Sequence, residues 1–482
     1  MEPKGTIAAG HQLTAEAGSE MLRNGGNAFD AAIAALAMAC VCEPVLASPG
    51  GGGFAMIRSG QSGATTLLDF FPQTPQQQRG DVADGFQGIT ADFGSATQVF
   101  HIGPATVASP GFFAGLTALH ETGATLPFAD LFAPAIRAAK SGHRITAYQH
   151  YLSTVVHPIL TATKAATDLF APSGDLPGVG SIFRNPGLAE MFEEWARGDW
   201  LHSGIADQIL QEQKRGGHLG RADLEGYEVV AREPLRIALD SASVFLNPPP
   251  AACGALIRYA LTHLERCDMP AMATALQQAD EARRLARGDL AKLLDRPMRQ
   301  TGTTHISTID AQGNACSVTV SNGTGNGEIV TGYGFMLNNI LGEEDVNPHG
   351  SAEWPANTRL ASMMCPTLIE TKDERLIALG SGGSSRIRSA IFQVVVRLCL
   401  GQSGLAEAVR APRIHIENGH LDVEATEAGI ELGQLENLFP DHRIWAEKNM
   451  FFGGVHAVSA DGSGRFTSIG DERREGCAVI VE

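Results

Sequence analysis

The chain has 482 residues, of which 44% are hydrophobic and 18% charged, and a formal net charge of −17. This is ordinary globular composition, which excludes disordered and fibrous classes, and the length calls for two or three units or one large layered structure. Such an acidic chain is a poor phosphate-backbone binder, so no nucleic-acid partner is expected. The longest apolar run, Ala31 to Cys42, has twelve residues, whereas a membrane helix needs about 20, so no membrane partner is expected either.

The first residues, Met1 to Gly5, carry no apolar leader, which predicts a cytoplasmic protein. Leu13 to Arg23 reads as an amphipathic helix stopped by Asn24-Gly25-Gly26. Asn27 caps a second, Ala-rich helix running to about Cys42. Gly50 to Gly53 reads as a tight-packing turn. Phe54 to Arg58 and Thr65 to Phe70 read as paired strands, and Gln73 to Asp92 as loop. From Gly111 to about Leu290 the pattern is mainly helical.

The texture changes near residue 300. Thr304 to Ile309 and Ala315 to Ser321 read as strands joined by the turn Asp310 to Asn314. Arg375 to Leu379 reads as a strand, and Ser385 to Leu400 as a helix. Strands and helices cluster rather than alternate, which favours a layered α+β fold over a parallel βαβ one. The eight cysteines are dispersed, which predicts reduced thiols. The fifteen histidines show no metal-type spacing, so no metal or cofactor is expected.

Two segments carry candidate chemistry. Gly302-Thr303-Thr304-His305 lies where helix gives way to strand. A hydroxyl there can attack the carbonyl before it and cut the chain. The freed α-amine, with a pKa of ~7.7–8.0, then becomes a built-in base. The plainer reading is a Thr-Thr start to a strand. If residue 309 faces residue 315 across the turn, Ser321 falls opposite Thr303, within reach of its hydroxyl. The second segment, Gly380-Ser381-Gly382-Gly383-Ser384-Ser385-Arg386, joins a strand to a helix. It has no Lys for a phosphate loop, so its N–H groups read as an oxyanion hole, or as a turn allowing close packing.

Taken in order, Gly25-Gly26-Asn27-Ala28-Phe29-Asp30, Gly51-Gly52-Gly53-Phe54, Leu68-Asp69-Phe70, Arg232-Glu233-Pro234-Leu235, Thr303-Thr304-His305, Leu337-Asn338-Asn339, Ala411-Pro412-Arg413 and Gly453-Gly454-Val455-His456 resemble the γ-glutamyltransferase family of N-terminal-nucleophile hydrolases. The resemblance implies an αββα sandwich made as one precursor. Cleavage before Thr303 would give a large subunit, 1–302, and a small one, 303–482, together one domain, alone or as a dimer of such pairs. It implies Thr303 as nucleophile, Ser321 as its support, and Gly383 and Ser384 as oxyanion donors. It implies substrate contacts from Asn322, Glu343, Glu344 and Ser362, where Ala361 replaces the first of a Ser pair. The substrate would be a small amide such as glutathione, its acyl group passing to water or an amine. A non-glutamyl acylase and an unprocessed scaffold are the alternatives. The family's Asp-Phe-Arg reads Asp69-Phe70-Phe71 here, so the arginine that grips the donor carboxylate has become Phe71. The family's donor-binding Asn aligns with Gly323. Arg359 and Arg386 are the candidate substitutes for the missing cation.

Overall fold

The computed structural model describes residues 3–79, 85–92, 97–285, 302–343, 354–425 and 432–482. In chain order its framework is β1 (Gly5–Ala9), α1 (Gln12–Arg23), α2 (Ala28–Cys42), β2 (Gly52–Arg58), β3 (Thr65–Phe70), α3 (Ala147–Val155), β4 (Val230–Arg232), β5 (Leu235–Ala238), β6 (Ala242–Leu246), α4 (Cys253–Thr262) and α5 (Met269–Leu285). The second half adds β7 (Gly302–Asp310), β8 (Ala315–Gly323), β9 (Thr367–Thr371), β10 (Leu376–Gly382), α6 (Arg386–Cys399), β11 (Gly454–Ala460), β12 (Phe466–Ile469) and β13 (Cys477–Val481).

One sheet runs β13-β1-β7-β8-β2-β3-β4 and the other β12-β11-β10-β9-β6-β5. Their inner faces pack together, β7 and β8 against β10 and β11. Helices α1 and α2 cover the first sheet, and α4 and α6 the second. The result is four layers, αββα, each sheet burying one face on its partner and one on helices. Chain halves interleave: β1, β2 and β3 flank the β7–β8 hairpin, and β6 pairs with β9.

Local chemistry explains the ends of these elements. Asn27 Oδ1 accepts from the Phe29 and Asp30 amides at 2.9 and 3.2 Å, while Asp30 Oδ2 accepts from Asn27 N–H at 2.8 Å. This reciprocal cap starts α2, which is buried along its whole length. Asp310 Oδ1 accepts from the Gln312 and Asn314 amides at 2.9 and 3.0 Å and closes the hairpin turn.

Two expectations fail. Within the stretch read as loop, Gln87–Asp92 pairs with Thr97–Ile102 as a hairpin. Within the stretch read as helical, β4, β5 and β6 occur. The burial of β6 alternates with period two over only five residues, too short to stand out between long helices. All eight cysteines are free thiols.

Candidate active site

The β7–β8 register places Thr303 directly opposite Ser321, with an irregularity between Gly302 and Thr303. A Cβ on Gly302 would fall 2.2 Å from the Val45 carbonyl oxygen and 2.6 Å from that of Gly323. Only glycine fits before Thr303. Thr303 is 3% exposed, and among the described residues its hydroxyl has no hydrogen-bond partner.

Ser321 does not bond the Thr303 hydroxyl, as the register alone suggests. Its Oγ donates to the Gly302 carbonyl at 2.5 Å and accepts from Gly323 N–H at 3.0 Å. The irregularity in the ladder turns that carbonyl toward Ser321. A donor on this oxygen polarises the bond a Thr303 hydroxyl would attack and would stabilise charge developing there. Thr304 and His305 serve the framework. Thr304 Oγ1 and Thr14 Oγ1 each donate to the buried Glu43 carboxylate at 2.7 Å. Burial lifts Glu43 above the ordinary carboxylate range, and the two hydroxyls pull it back. His305 bridges Thr319 and Ser307 hydroxyls, each at 2.8 Å, and burial keeps it neutral.

Gly383 and Ser384 follow β10 with φ of +122° and +55°. Ser384 thus holds the left-handed backbone that favours glycine. The turn's own bonds run from Arg386 N–H to the Gly383 carbonyl and from Ile387 N–H to the Ser384 carbonyl, both 3.1 Å. Neither of these bonds uses the Gly383 or Ser384 amide. The turn lies against Thr303: a Cβ on Gly382 would meet the Thr303 carbonyl oxygen at 2.3 Å. Gly302, Thr324 and Gly383 line one cleft, walled by Val45, Leu46, Leu152, Val155 and Phe451 and flanked by Arg386 and Arg474.

The residues expected to hold the donor are placed unevenly. Phe71 is 2% exposed. It stacks on Phe54 at 5.5 Å between ring centres, within the apolar core. Arg359 does reach this stretch, but its guanidinium bonds the Phe71 carbonyl, the Tyr227 hydroxyl and the Glu228 carbonyl, with Asp69 at 3.7 Å. It pins three segments together and is spent. Arg386 instead lines the cleft, over the Phe451 ring at 4.3 Å. Asn322 is buried next to Ser321 with Oδ1 unbonded. Glu343 is buried beneath Gly323, where a Cβ would fall 2.5 Å from its Oε1 and 2.1 Å from Asn339 Oδ1. No side chain fits at 323, which accounts for glycine there. The Ser362 hydroxyl accepts from the Met364 amide at 3.1 Å. Glu344 lies outside the described residues. Among the described residues no group of His, Cys, Asp and Glu is arranged to hold a metal, and no helix is long and apolar enough to cross a membrane.

Sequence reasoning missed Glu43 and Arg474. Glu43 stands at the end of the longest apolar run, where a lone carboxylate is a usable signal. Arg474 is one of an ordinary-looking Arg pair and gives none.

A four-layer αββα sandwich, with a Gly-Thr junction at the head of an inner strand and a glycine-rich turn packed against it, is the architecture of an N-terminal-nucleophile hydrolase. The gamma-glutamyltranspeptidase family profile matches residues 14–299 and 292–481. The chain belongs to that family of enzymes. It is 28% identical over 474 residues to the glutathione hydrolase proenzyme of Escherichia coli (strain K12), covering 86% of this chain and 81% of that protein. It is 27% identical over 530 residues to the acylase ACY 1 proenzyme of Pseudomonas sp. (strain V22), covering 99% and 94%. Its fold matches a cephalosporin acylase from Bacillus halodurans at a TM-score of 0.81 and 23% identity, covering 99% and 96%.

Proposed function

We propose that the chain is a precursor that cuts itself between Gly302 and Thr303 and then works as an acyl-transfer amidohydrolase. The Thr303 hydroxyl adds to the Gly302 carbonyl, and the peptide nitrogen leaves, giving an ester. Water hydrolyses the ester, leaving a Gly302 carboxylate and a Thr303 α-amine. That amine takes the proton of its own hydroxyl as the oxygen attacks a donor amide. The Gly383 and Ser384 amides hold the oxyanion, the leaving amine takes the proton, and the acyl group passes from Thr303 to water or to a second amine. The observation that carries this reading is the Ser321 hydroxyl on the Gly302 carbonyl beside an uncommitted Thr303 hydroxyl. Relatives named glutathione hydrolase support a γ-glutamyl amide donor such as glutathione. The second reading, an acylase for another acyl group, is favoured by Phe71 in the core where the family has arginine.

The test is a denaturing gel with N-terminal sequencing. Wild type should give chains 1–302 and 303–482, the smaller starting at Thr303. Thr303→Ala should give one full-length band and no turnover. An uncut, inactive wild type would support a scaffold protein instead. Release of amine from γ-glutamyl, glutaryl and neutral acyl amides then separates the two enzyme readings.

A further inference from the structure

Three arginines crowd behind the cleft, and they are not alike. Arg413 donates to Asp471 at 2.5 Å. Arg473 donates to Glu424 at 2.8 Å and to Asp471 at 3.2 Å. Arg474 is 8% exposed, yet among the described residues its side chain has no carboxylate within ion-pair distance and no hydrogen bond, its Nε being buried. An unpaired cation in such a place is costly, so its retention calls for an anionic partner from outside.

The backbone makes room for this side chain. A Cβ on Gly454 would fall 2.6 Å from Arg474 Cδ. Cβ atoms on Gly382 and Gly383 would fall 3.0 and 2.9 Å from its Nη1 and Nη2. The same vacant position at Gly382 lies 2.3 Å from the Thr303 carbonyl oxygen. The guanidinium and the nucleophilic residue thus face one another across the width of a missing methyl group. Among the described residues the cleft lining holds no acidic side chain. The other cation there, Arg386, is partly compensated, with Glu417 at 3.9 Å.

We propose that Arg474 determines donor specificity by receiving a carboxylate at the far end of a short acyl chain, of glutaryl or γ-glutamyl type. The inference rests on the acyl-transfer reading above. The Gly383 and Ser384 amides serve the reacting carbonyl, while the planar guanidinium fork matches a carboxylate bidentately. A chain with phenylalanine at position 71 would in this way still select acidic donors.

The experiment measures kcat/KM on glutaryl-p-nitroanilide and butyryl-p-nitroanilide for wild type, Arg474→Met and Arg474→Lys. Wild type should prefer the glutaryl amide. Arg474→Met should lose roughly 10- to 100-fold more on glutaryl than on butyryl, chiefly in KM, as expected for charge-assisted hydrogen bonds. Arg474→Lys should recover part of the difference. Equal losses on both substrates would assign Arg474 to the oxyanion or to the framework and overturn the inference, as would a wild type without preference. If Arg474→Met stays uncut, Arg474→Lys and wild type are compared for inhibition by glutarate and butyrate. Selective inhibition of wild type by glutarate, weakened in Arg474→Lys, supports the proposal; no selectivity overturns it. A wild type that is uncut and idle on every amide defeats the acyl-transfer reading itself. A cut, active enzyme with an unchanged substrate ratio defeats only the role of Arg474.

Discussion

The two ends of one sheet's inner face treat polar groups in opposite ways. Around Thr303, among the described residues, a hydroxyl and a guanidinium are left without side-chain partners, and the bonds of the turn beside them use neither the Gly383 nor the Ser384 amide. Three strands away, past β3, the charges are closed on themselves. Asp69 holds Arg232 at 2.7 Å and the Phe71 amide at 3.1 Å, with Arg359 at 3.7 Å. Tyr227 donates to the Phe71 carbonyl at 2.8 Å. Polar groups left without protein partners beside a cleft are available to a ligand, and closed networks hold backbone in place. The difference moves the site of donor recognition away from position 71 and toward the cleft.

Phe71→Arg breaks this comparison most severely. If position 71 faced substrate, the arginine would restore γ-glutamyl turnover. The structure instead puts it against Phe54 in the apolar core, where a guanidinium lacks a partner and the ring stacking is lost. Such a burial falls among the exceptional substitutions, costing more than about 4 kcal/mol. With roughly 2 cal/mol/K of unfolding entropy per residue, Tm should drop by at least about 4 °C in a chain of this length. Calorimetry and γ-glutamyl-p-nitroanilide turnover check it. A variant with wild-type Tm and raised kcat/KM would put position 71 back in the donor pocket.

The same contrast shows what could be read before the structure was known. The hairpin was legible because Asp310, Gly313 and Asn314 force one turn, and a fixed turn fixes every pair up to Thr303 and Ser321. Helix α2 was legible from its Asn cap and apolar run. The two-sheet packing was not, because β1, β11 and β13 are short strands that pair with partners remote in sequence. Nor could sequence tell Arg474 from Arg473. Both sit in one short turn, and only the positions of Glu424 and Asp471 decide which is neutralised. Motif alignment marked Phe71 as the place of the family's arginine, but could not show that its ring packs into the core.

Acid should loosen the cleft side first. His11 and His456 accept backbone N–H bonds through Nδ1, from Leu13 at 3.1 Å and Asp471 at 3.2 Å. Burial lowers the pKa of each to about 4, below the ordinary 6.5. The unfolded chain therefore binds these protons at higher pH than the folded one. Their contribution is complete above pH ~6.5, falls as pH drops toward 4, and changes no further below that. Asp471 and Glu417, held to about 2 by arginine and histidine neighbours against the opposing effect of burial, add a second loss below pH ~4. Glu43, raised by burial, acts in the opposite sense. Hydrogen exchange at pH 5 against pH 7.5 should show faster opening of 454–477 than of 65–72. Equal acceleration in both would break the comparison.

Ser321→Ala is the mildest change and the sharpest. It removes one hydrogen bond to the Gly302 carbonyl and leaves the Gly323 amide without its acceptor. One such bond contributes ~0.5–1.5 kcal/mol, which is about tenfold in rate at most. The timing of the loss is what discriminates. Before cleavage the Ser321 hydroxyl sits on the oxygen of the bond to be cut, so self-processing should slow by up to about tenfold. After cleavage that oxygen belongs to a chain end and no longer to the reacting bond, so turnover by the cleaved enzyme should fall less. Ser321→Thr keeps the hydroxyl and should process near the wild-type rate. A time course of the 303–482 band, set beside kcat on fully cleaved protein, reads both quantities. If turnover falls more than processing, Ser321 acts on the Thr303 hydroxyl after all. If neither changes, the bond to Gly302 is only structural, and self-cleavage must draw its polarisation from the Gly383 and Ser384 amides alone.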